Sequence, residues 1–263
     1  MECTDCSFRF SAVAPDTEML RFIYDEVIDT AAVGQANFSL ESLATRLSYL
    51  STILRLMPES KKQVKILDFG CGFGPTLHLL KSLPNILAIG FETSEARLTE
   101  LSRAGIYATG DIIEIGRSGP FDVIIMDNVL EHVARPAGVL DLIRQWCNPI
   151  TILYISVPDG NSPYMKRQKE AVLRGEMASM DINPWEHLSY FDIEHLDRTL
   201  RIAGFRPLKQ SELRESVSIG LRPSALLMDR VKNSLACLLR LGRFSATGDA
   251  CPTVTRRFYR QIS

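Results

Sequence analysis

Between residues 64 and 159 five short apolar runs, "VKILDFG", "ILAIGFE", "GIYATGD", "FDVIIMD" and "TILYISVPD", alternate with segments whose apolar residues return every three or four positions. Runs this short, apolar on both parities, are strands whose sheet must be covered on both faces, and the intervening amphipathic segments supply the cover. The pattern therefore predicts an α/β fold: a seven-stranded, mainly parallel sheet with helices on both faces. Helices are expected near 75–83, 94–104 and 136–146, the second opened by Ser94 and closed by Gly105. Ahead of the first run, "PDTEMLRFIYDEVIDTAAV" and "SLESLATRLSYLSTILRLMP" read as two helical pieces broken at Gly34 or Asn37. Beyond residue 160 the pattern loosens, then resumes with a helix, "DIEHLDRTLRIAG", a strand, "FRPLKQSEL", a basic amphipathic helix, "SALLMDRVKNSLACLLRLGRF", and a last strand, "TVTRRFYRQ". The organisation expected is a helical N-terminal cap over 1–60, a ligand-binding core over 61–207, and a strand-helix-strand extension over 208–263 that completes the sheet.

Charge and cysteine usage narrow the surroundings. The net charge of -1 gives no global pull towards nucleic acid, although residues 208–263 hold ten Lys and Arg against four Asp and Glu. Packing on the domain is the default for that basic helix. The start, "MECTDCSFRFSAVAPDTE", carries early acids where a signal peptide would be apolar, and no later run reaches the length of a membrane span, so a cytoplasmic protein is expected. Six scattered cysteines in a chain with ample core fit reduced thiols.

The first run leads into "DFGCGFGP", with Gly70, Gly72 and Gly74 at alternate positions and Pro75 at a plausible first helical position. A strand, a glycine turn and a helix in succession let a ligand lie almost against the main chain and meet its N–H groups. The spacing is D-x-G-x-G-x-G, and Pro75 stands where a dinucleotide fingerprint needs its third glycine. Asp68 would repel a pyrophosphate but could accept a hydrogen bond from an ammonium group. Glu92, about twenty residues on at the end of the next run, is suited to a ribose diol, and Asp111 after the third run to an exocyclic amino group.

An amine, a ribose and a base without phosphates describe S-adenosylmethionine, and here the chain resembles the class I methyltransferases. "ILDFGCGFG", "GFETS", "GDI", "FDVIIMDNVLEHVARP", "ISVPD" and "EHLSYFDIEHLDRTLRIAGF" come in that family's order, from residue 64 to about 207. The resemblance implies a Rossmann-like fold and S-adenosylmethionine as cofactor. Its methionine part would be held by Asp68, Phe69 and the Gly70, Cys71, Gly72 and Gly74 backbone, its ribose by Glu92 and Thr93, and its adenine by Asp111 and Ile112. Asp127, Asn128 and Val129 would line the methionine and face the acceptor. The sequence departs from the family in "CNPIT" before the fifth run and in Pro75.

Methyl transfer from a sulfonium needs alignment and exclusion of water, and an oxygen or carbon acceptor must also lose a proton. Histidine is the usual base. His132, read as opening the helix after the fourth run, and His187 are the candidates, whereas His78 and His195 read as ordinary helix-surface residues. Trp185 and Tyr190, in the irregular stretch after the fifth run, are expected to shape the substrate site. "MDNV" lacks the (Asp/Asn)-Pro-Pro-aromatic segment of base methylation, and Cys147, read as lying late in a helix, is misplaced for cytosine chemistry. Asp127, Asn128, Asp159 and Asn161 read as cofactor lining and turn residues, so no catalytic metal is expected. Cys3 and Cys6 resemble half of a zinc knuckle that precedes some relatives, notably sugar methyltransferases; two ligands do not close a structural site, and unliganded thiols at a frayed terminus are expected. The expected partner is a small-molecule methyl acceptor, most naturally an oxygen, with nitrogen and carbon left open. No nucleic acid and no membrane span are expected, and a homodimer stays open. A cofactor-binding scaffold without turnover would keep the same glycine loop.

Overall fold

The structure, a computed structural model, describes residues 1–23, 30–58, 60–176, 185–213 and 254–262. The central sheet has seven strands in the order β4 (Ala108–Thr109), β3 (Ile86–Phe91), β2 (Val64–Phe69), β5 (Phe121–Asp127), β6 (Cys147–Pro158), β9 (Val254–Gln261), β8 (Phe205–Pro207). The first five are parallel, and β9 runs antiparallel to both β6 and β8. The chain starts in the middle at β2, builds outward through β3 to β4, then returns to lay β5 on the other side of β2. That reversal opens a crevice beyond the carboxyl ends of β2 and β5, where ligands of such sheets sit.

The two-residue period of the strands sorts side chains between two cores. Leu67, Phe69, Ile124, Met126, Leu153, Ile155 and Val157 face one side, packing with residues of α6 (Ile112–Ser118), α7 (Pro136–Gln145) and α9 (Ile193–Ile202). Ile66, Val123, Ile125, Ile152 and Tyr154 face the other, under α3 (Leu40–Leu56) and α4 (Pro75–Lys81). Tyr49 of α3 stacks on Tyr154, ring centroids 4.1 Å apart. A smaller cluster of Cys71, Leu77, Leu101 and Ile106 seats α5 (Glu95–Arg103). By the same parity Asp68, Asp127 and Ser156 fall on the α3 side, which brings polar groups from three strands under one helix.

Several expectations are corrected. Gly34 breaks nothing: it lies inside α2 (Thr30–Asn37), which follows α1 (Thr17–Phe22), and the break falls at Asn37. The terminus is not frayed. Cys3 N donates to Phe8 O and Phe10 N to Met1 O, and β1 (Arg9–Phe10) pairs with β7 (Ser189–Tyr190). His195 is no bystander, since its Nε2 lies 2.8 Å from Cys6 O and its Nδ1 2.7 Å from Asp192 Oδ1, which ties this terminal turn to α9. His78 is exposed on α4, against Phe38. The run "FRPLKQSEL" is extended only to Pro207, with residues 210–213 helical. Cys147 begins β6 instead of ending a helix, and α6, short and masked by its Gly, Arg and Ser, went unread. The basic helix expected at 224–244 lies outside the described residues. β9 does complete the sheet, but by insertion between β6 and β8.

No helix among the described residues is long and apolar enough to cross a membrane. Because β9 alone joins β8 to the sheet, its central side chain should carry much stability. Tyr259 is fully buried and its hydroxyl donates to Asp197 Oδ1 at 2.7 Å. Tyr259→Phe should cost about 1 kcal/mol and Tyr259→Ala about 3–5 kcal/mol in urea unfolding; equal midpoints for wild type and the alanine variant would remove β9 from the cooperative core.

Candidate active site

The turn from β2 to α4 has the shape its glycines foretell: Gly70, Gly72 and Gly74 sit at φ of 75, 56 and 70°, the left-handed region. Two of them are also closed to any side chain. A Cβ on Gly70 would lie 2.7 Å from Val129 Cγ2, and one on Gly74 2.4 Å from Leu101 Cδ2. At Gly72 a Cβ would meet nothing within 4 Å, so bare backbone there borders open space that a ligand could fill.

The loop's N–H groups differ from the expectation of free donors. Gly70 N and Cys71 N donate to Phe91 O at 2.8 and 3.0 Å, Gly74 N donates to Cys71 O, and Gly72 N donates to Glu92 Oε2 at 2.9 Å. A buried turn cannot leave amides unpaired, and the end of β3 supplies the acceptors. Phe69 and Phe91 stack beside the loop, centroids 4.7 Å apart, and the buried Cys71 thiol is pushed well up by burial first and by Asp68 and Glu92 next. Glu92 itself is buried; its Oε1 accepts from Thr93 N at 2.8 Å and Ser94 N at 2.9 Å, and Arg97 Nη1 stands 3.6 Å from Oε2. A carboxylate has about four lone-pair sites, and three are in use. Asp111 caps α6 through Ile113 N at 2.8 Å, with Ile112 as the first residue of that helix.

Under α3 the charges are concentrated. Asp68 is 3% exposed, and no donor among the described residues hydrogen-bonds its carboxyl. Burial first, then the Asp127 charge, raise that carboxyl to about 7 against the lowering pull of Arg46. Arg46 is the residue that sequence reading missed: its Nη2 stands 3.4 Å from Asp127 Oδ2, and it also bonds Asn37 and Ser42. Tyr49 and Thr76 share a buried hydrogen bond of 2.9 Å nearby. Heptad-like spacing on α3 foretold its buried face but gave no reason to single out one arginine. A cavity of about 220 Å³ opens here, bounded among others by Thr45, Arg46, Asp127, Asn128 and Ser156.

A second cavity, about 410 Å³, adjoins it through Asn128, which holds φ of 55° at the end of β5. Glu131, His132, Tyr164 and His187 are among its walls. The structure thus brings together the two histidines singled out from sequence: their rings meet edge to face, centroids 4.8 Å apart. His132 does not open a helix; it closes a single 3-10 turn, Leu130–His132, before α7 begins at Pro136. That turn is pinned by Leu188 N to Glu131 O at 2.7 Å and by His132 Nδ1 against Glu186 O at 2.9 Å. Burial, joined by the charge of His187, lowers His132 to about 3, so its 3.8 Å approach to Glu131 Oε1 is not an ion pair. Glu131 is 1% exposed, burial raises its carboxyl well above the usual range, and neither of its oxygens has a hydrogen-bond partner. Trp185 and Tyr190 are not brought to this wall: Trp185 is half exposed and Tyr190 pairs with Arg9 in β7. Asp159 and Asn161 also lie apart from Asp127, Asn161 being engaged with Arg9 and Asp192.

The open space at Gly72, an unpaired buried carboxyl at Asp68 and a second acid at Glu92 fit a ligand with an ammonium and a diol. Residues 42–210 match the family described as a methyltransferase domain. Among solved structures the chain is similar to the plantazolicin methyltransferase BamL in complex with a triazolic desmethylPZN analog and SAH, at TM-score 0.62 and 13% identity, covering 93% of this chain and 95% of that one. It is likewise similar to the plantazolicin methyltransferase BpumL with a pentazolic analog and SAH, at 0.61 and 14% over 93% and 95%. A SAM-dependent methyltransferase from Archaeoglobus fulgidus aligns at 0.51 and 19% over 94% and 100%. At these identities the likeness is one of fold. No curated protein matches by sequence.

The buried Asp68 makes a pH prediction. Its folded value, about 7, lies above the ordinary 3.8, so between these the folded chain holds a proton the unfolded chain has released. The stability it contributes is complete below the lower value and is lost as pH rises towards the upper one. Asp68→Asn should therefore out-stabilise wild type by a margin that widens from about pH 4 to 7 and then levels off; thermal melts with a constant margin would show that Asp68 is not held neutral.

Proposed function

Because the chain belongs to the methyltransferase domain family, whose enzymes take S-adenosylmethionine, we propose that the crevice at Gly72 holds this cofactor and that the adjoining cavity receives a small hydroxyl-bearing acceptor for O-methylation. That the chain is an S-adenosylmethionine-dependent methyltransferase follows from the family; which residues act, and on what, is our reading. The observation that carries it is the bare Gly72 backbone open to space between the buried Asp68 and Glu92 carboxyls.

In this reading Asp68 accepts from the ammonium group, which offsets the burial of its charge. Arg46, at the same end of the crevice, takes the cofactor's carboxylate beside its contact with Asp127. Glu92 has capacity left for one ribose hydroxyl without giving up the loop, and Thr93 follows on the same turn. Phe69 and the Gly70 to Gly74 main chain offer close contact instead of hydrogen bonds. Asp111 and Ile112 offer the adenine a carboxylate and the first turn of α6. Asp127, Asn128 and Val129 separate cofactor from acceptor.

When bound, S-adenosylmethionine supplies an electrophilic methyl group, so the acceptor oxygen bonds to carbon as the carbon–sulfur bond breaks and the hydroxyl proton leaves. The chain's part is alignment and proton handling. His132 Nδ1 faces a carbonyl, which can only accept, so Nδ1 carries the hydrogen and Nε2 presents its lone pair on the Glu131 side. His187, against that ring, is the second group able to take the proton. A cavity of about 410 Å³ suits a small molecule.

Glu92→Ala should weaken S-adenosylhomocysteine binding at least tenfold by calorimetry, the fold being retained; unchanged affinity would refute the ribose role. An acceptor screen reading released S-adenosylhomocysteine, with mass spectrometry of the product, tests the reaction. With any acceptor found, His132→Ala should lower turnover far more than cofactor affinity, and full activity would remove it from proton transfer. A product methylated on nitrogen or carbon would overturn the choice of oxygen.

A further inference from the structure

The Glu131 carboxylate poses a question that proton transfer does not answer. It is 1% exposed, lies on the wall of the larger cavity, and neither oxygen has a hydrogen-bond partner. A carboxylate in that position is costly unless a proton or a cation accompanies it. Its nearest polar neighbours are two imidazoles. One ligand atom from each of Glu131, His132 and His187 falls within a set whose members all lie within 4.8 Å of one another.

We propose that Glu131, His132 and His187 bind a divalent transition-metal ion, zinc by preference, leaving a coordination position open to the cavity for an acceptor oxygen. Two histidines and one carboxylate are the donor set of an open catalytic site, and imidazole selects first-row transition metals over magnesium or calcium. The supporting bond is already made: Nδ1 of His132 stands 2.9 Å from Glu186 O, a carbonyl that can only accept, so Nδ1 carries the hydrogen and Nε2 is the nitrogen that would ligate. Nε2 stands 3.8 Å from Glu131 Oε1, too far for a hydrogen bond. Two donors bound at about 2.1 Å stand about 3.4 Å apart at the tetrahedral angle, so small side-chain rotations would close the site. Leu188 N to Glu131 O, at 2.7 Å, fastens the loop that carries His187 to the turn that carries the other two donors. No metal was expected from the sequence, because Glu131 and His132 are adjacent and His187 lies far along the chain; only the fold unites them.

The ion would bind an acceptor hydroxyl, lower its pKa and hold its oxygen in place, the proton passing to water in the cavity; His132 and His187, once ligating, would act through the ion and not as the bases described above. The class of acceptor is then an oxygen able to coordinate: a phenol, an enol, or a hydroxyl beside a second oxygen donor. This substrate inference rests on the reading of the cavity as the acceptor's, whereas metal binding can be measured without it.

The full chain, stripped with a chelator, would be titrated with cobalt(II) and followed by visible absorption, then back-titrated with zinc. One ion per chain, with the intense bands of a low-coordinate cobalt site, is expected. Glu131→Gln and His187→Ala should each weaken binding by about tenfold or more, and a Cys3→Ser, Cys6→Ser double variant, which removes the other soft donors, should bind as wild type does. S-adenosylhomocysteine calorimetry on each sample reports that the variant is folded and the crevice intact. A stripped wild type that takes up no cobalt, or uptake that survives both site variants or vanishes with the cysteines, overturns the metal site. If S-adenosylhomocysteine binds while cobalt does not, the metal alone is lost; failure of S-adenosylhomocysteine to bind would count against the crevice instead.

Discussion

The end of β3 holds the rest of the site in shape. Phe91 O takes two amides of the glycine loop and the Glu92 carboxylate takes a third, while its other oxygen gathers the two amides that lead into α5. Left-handed glycines are free to turn many ways, so the loop's sequence permits the turn without choosing it. The choice is made from outside, by acceptors on the neighbouring strand. Glu92 therefore has two duties on one carboxylate: three of its about four lone-pair sites hold backbone amides, and the remaining one is left for a ligand hydroxyl. A cofactor bound at Glu92 would be coupled to the geometry of Gly72, against which it must also pack.

Parity extends this order across the sheet. Asp68 and Asp127 are the last two acids on adjoining strands, and the period of two sets both on the α3 side, where Arg46 descends between them. One guanidinium serves two carboxyls, and it bonds to only one of them. Burial first, and the Asp127 charge next, raise the other, Asp68, to about 7. Such an arrangement holds a place for a second cation. A ligand ammonium would complete two acids with two bases and bring a carboxylate for Arg46, so the chain's own electrostatics are unfinished in a way that a zwitterion finishes.

The sequence revealed those parts of the fold that depend on neighbours in the chain. Apolar runs, the glycine turn, Ser94 and Gly105 as helix ends and the acids after each strand are local, and the sheet follows from them. What escaped was set by distant contacts. Arg46 is one of several arginines on amphipathic helices until Asp127 meets it. His195 looks like a surface residue until the first six residues fold back onto its ring. Trp185 and Tyr190 are expected at the substrate from their place in the irregular stretch after the fifth run, and the pairing of that stretch with β1 is a distant contact that no local pattern shows. The insertion of β9 between β6 and β8 has no local signal either, since a final strand can join any free edge.

His132 shows how local reading succeeds and stops. Its position after the fourth parallel strand puts it on the wall of the larger cavity, but its partner on the carbonyl side comes from residue 186, and its neighbour on the other side is the residue immediately before it. Adjacent residues point about 100° apart on an α-helix and about 120° apart on a 3-10 turn. In the tight 3-10 turn, with Leu188 clasping the Glu131 carbonyl, both side chains stay inside the same cavity. The turn exists because β5 ends in Asn128 at positive φ, which reverses the chain early and delays α7 until Pro136. Glu131 is thus kept on the cavity wall by a contact from the loop that carries His187, which no local reading of the turn contains.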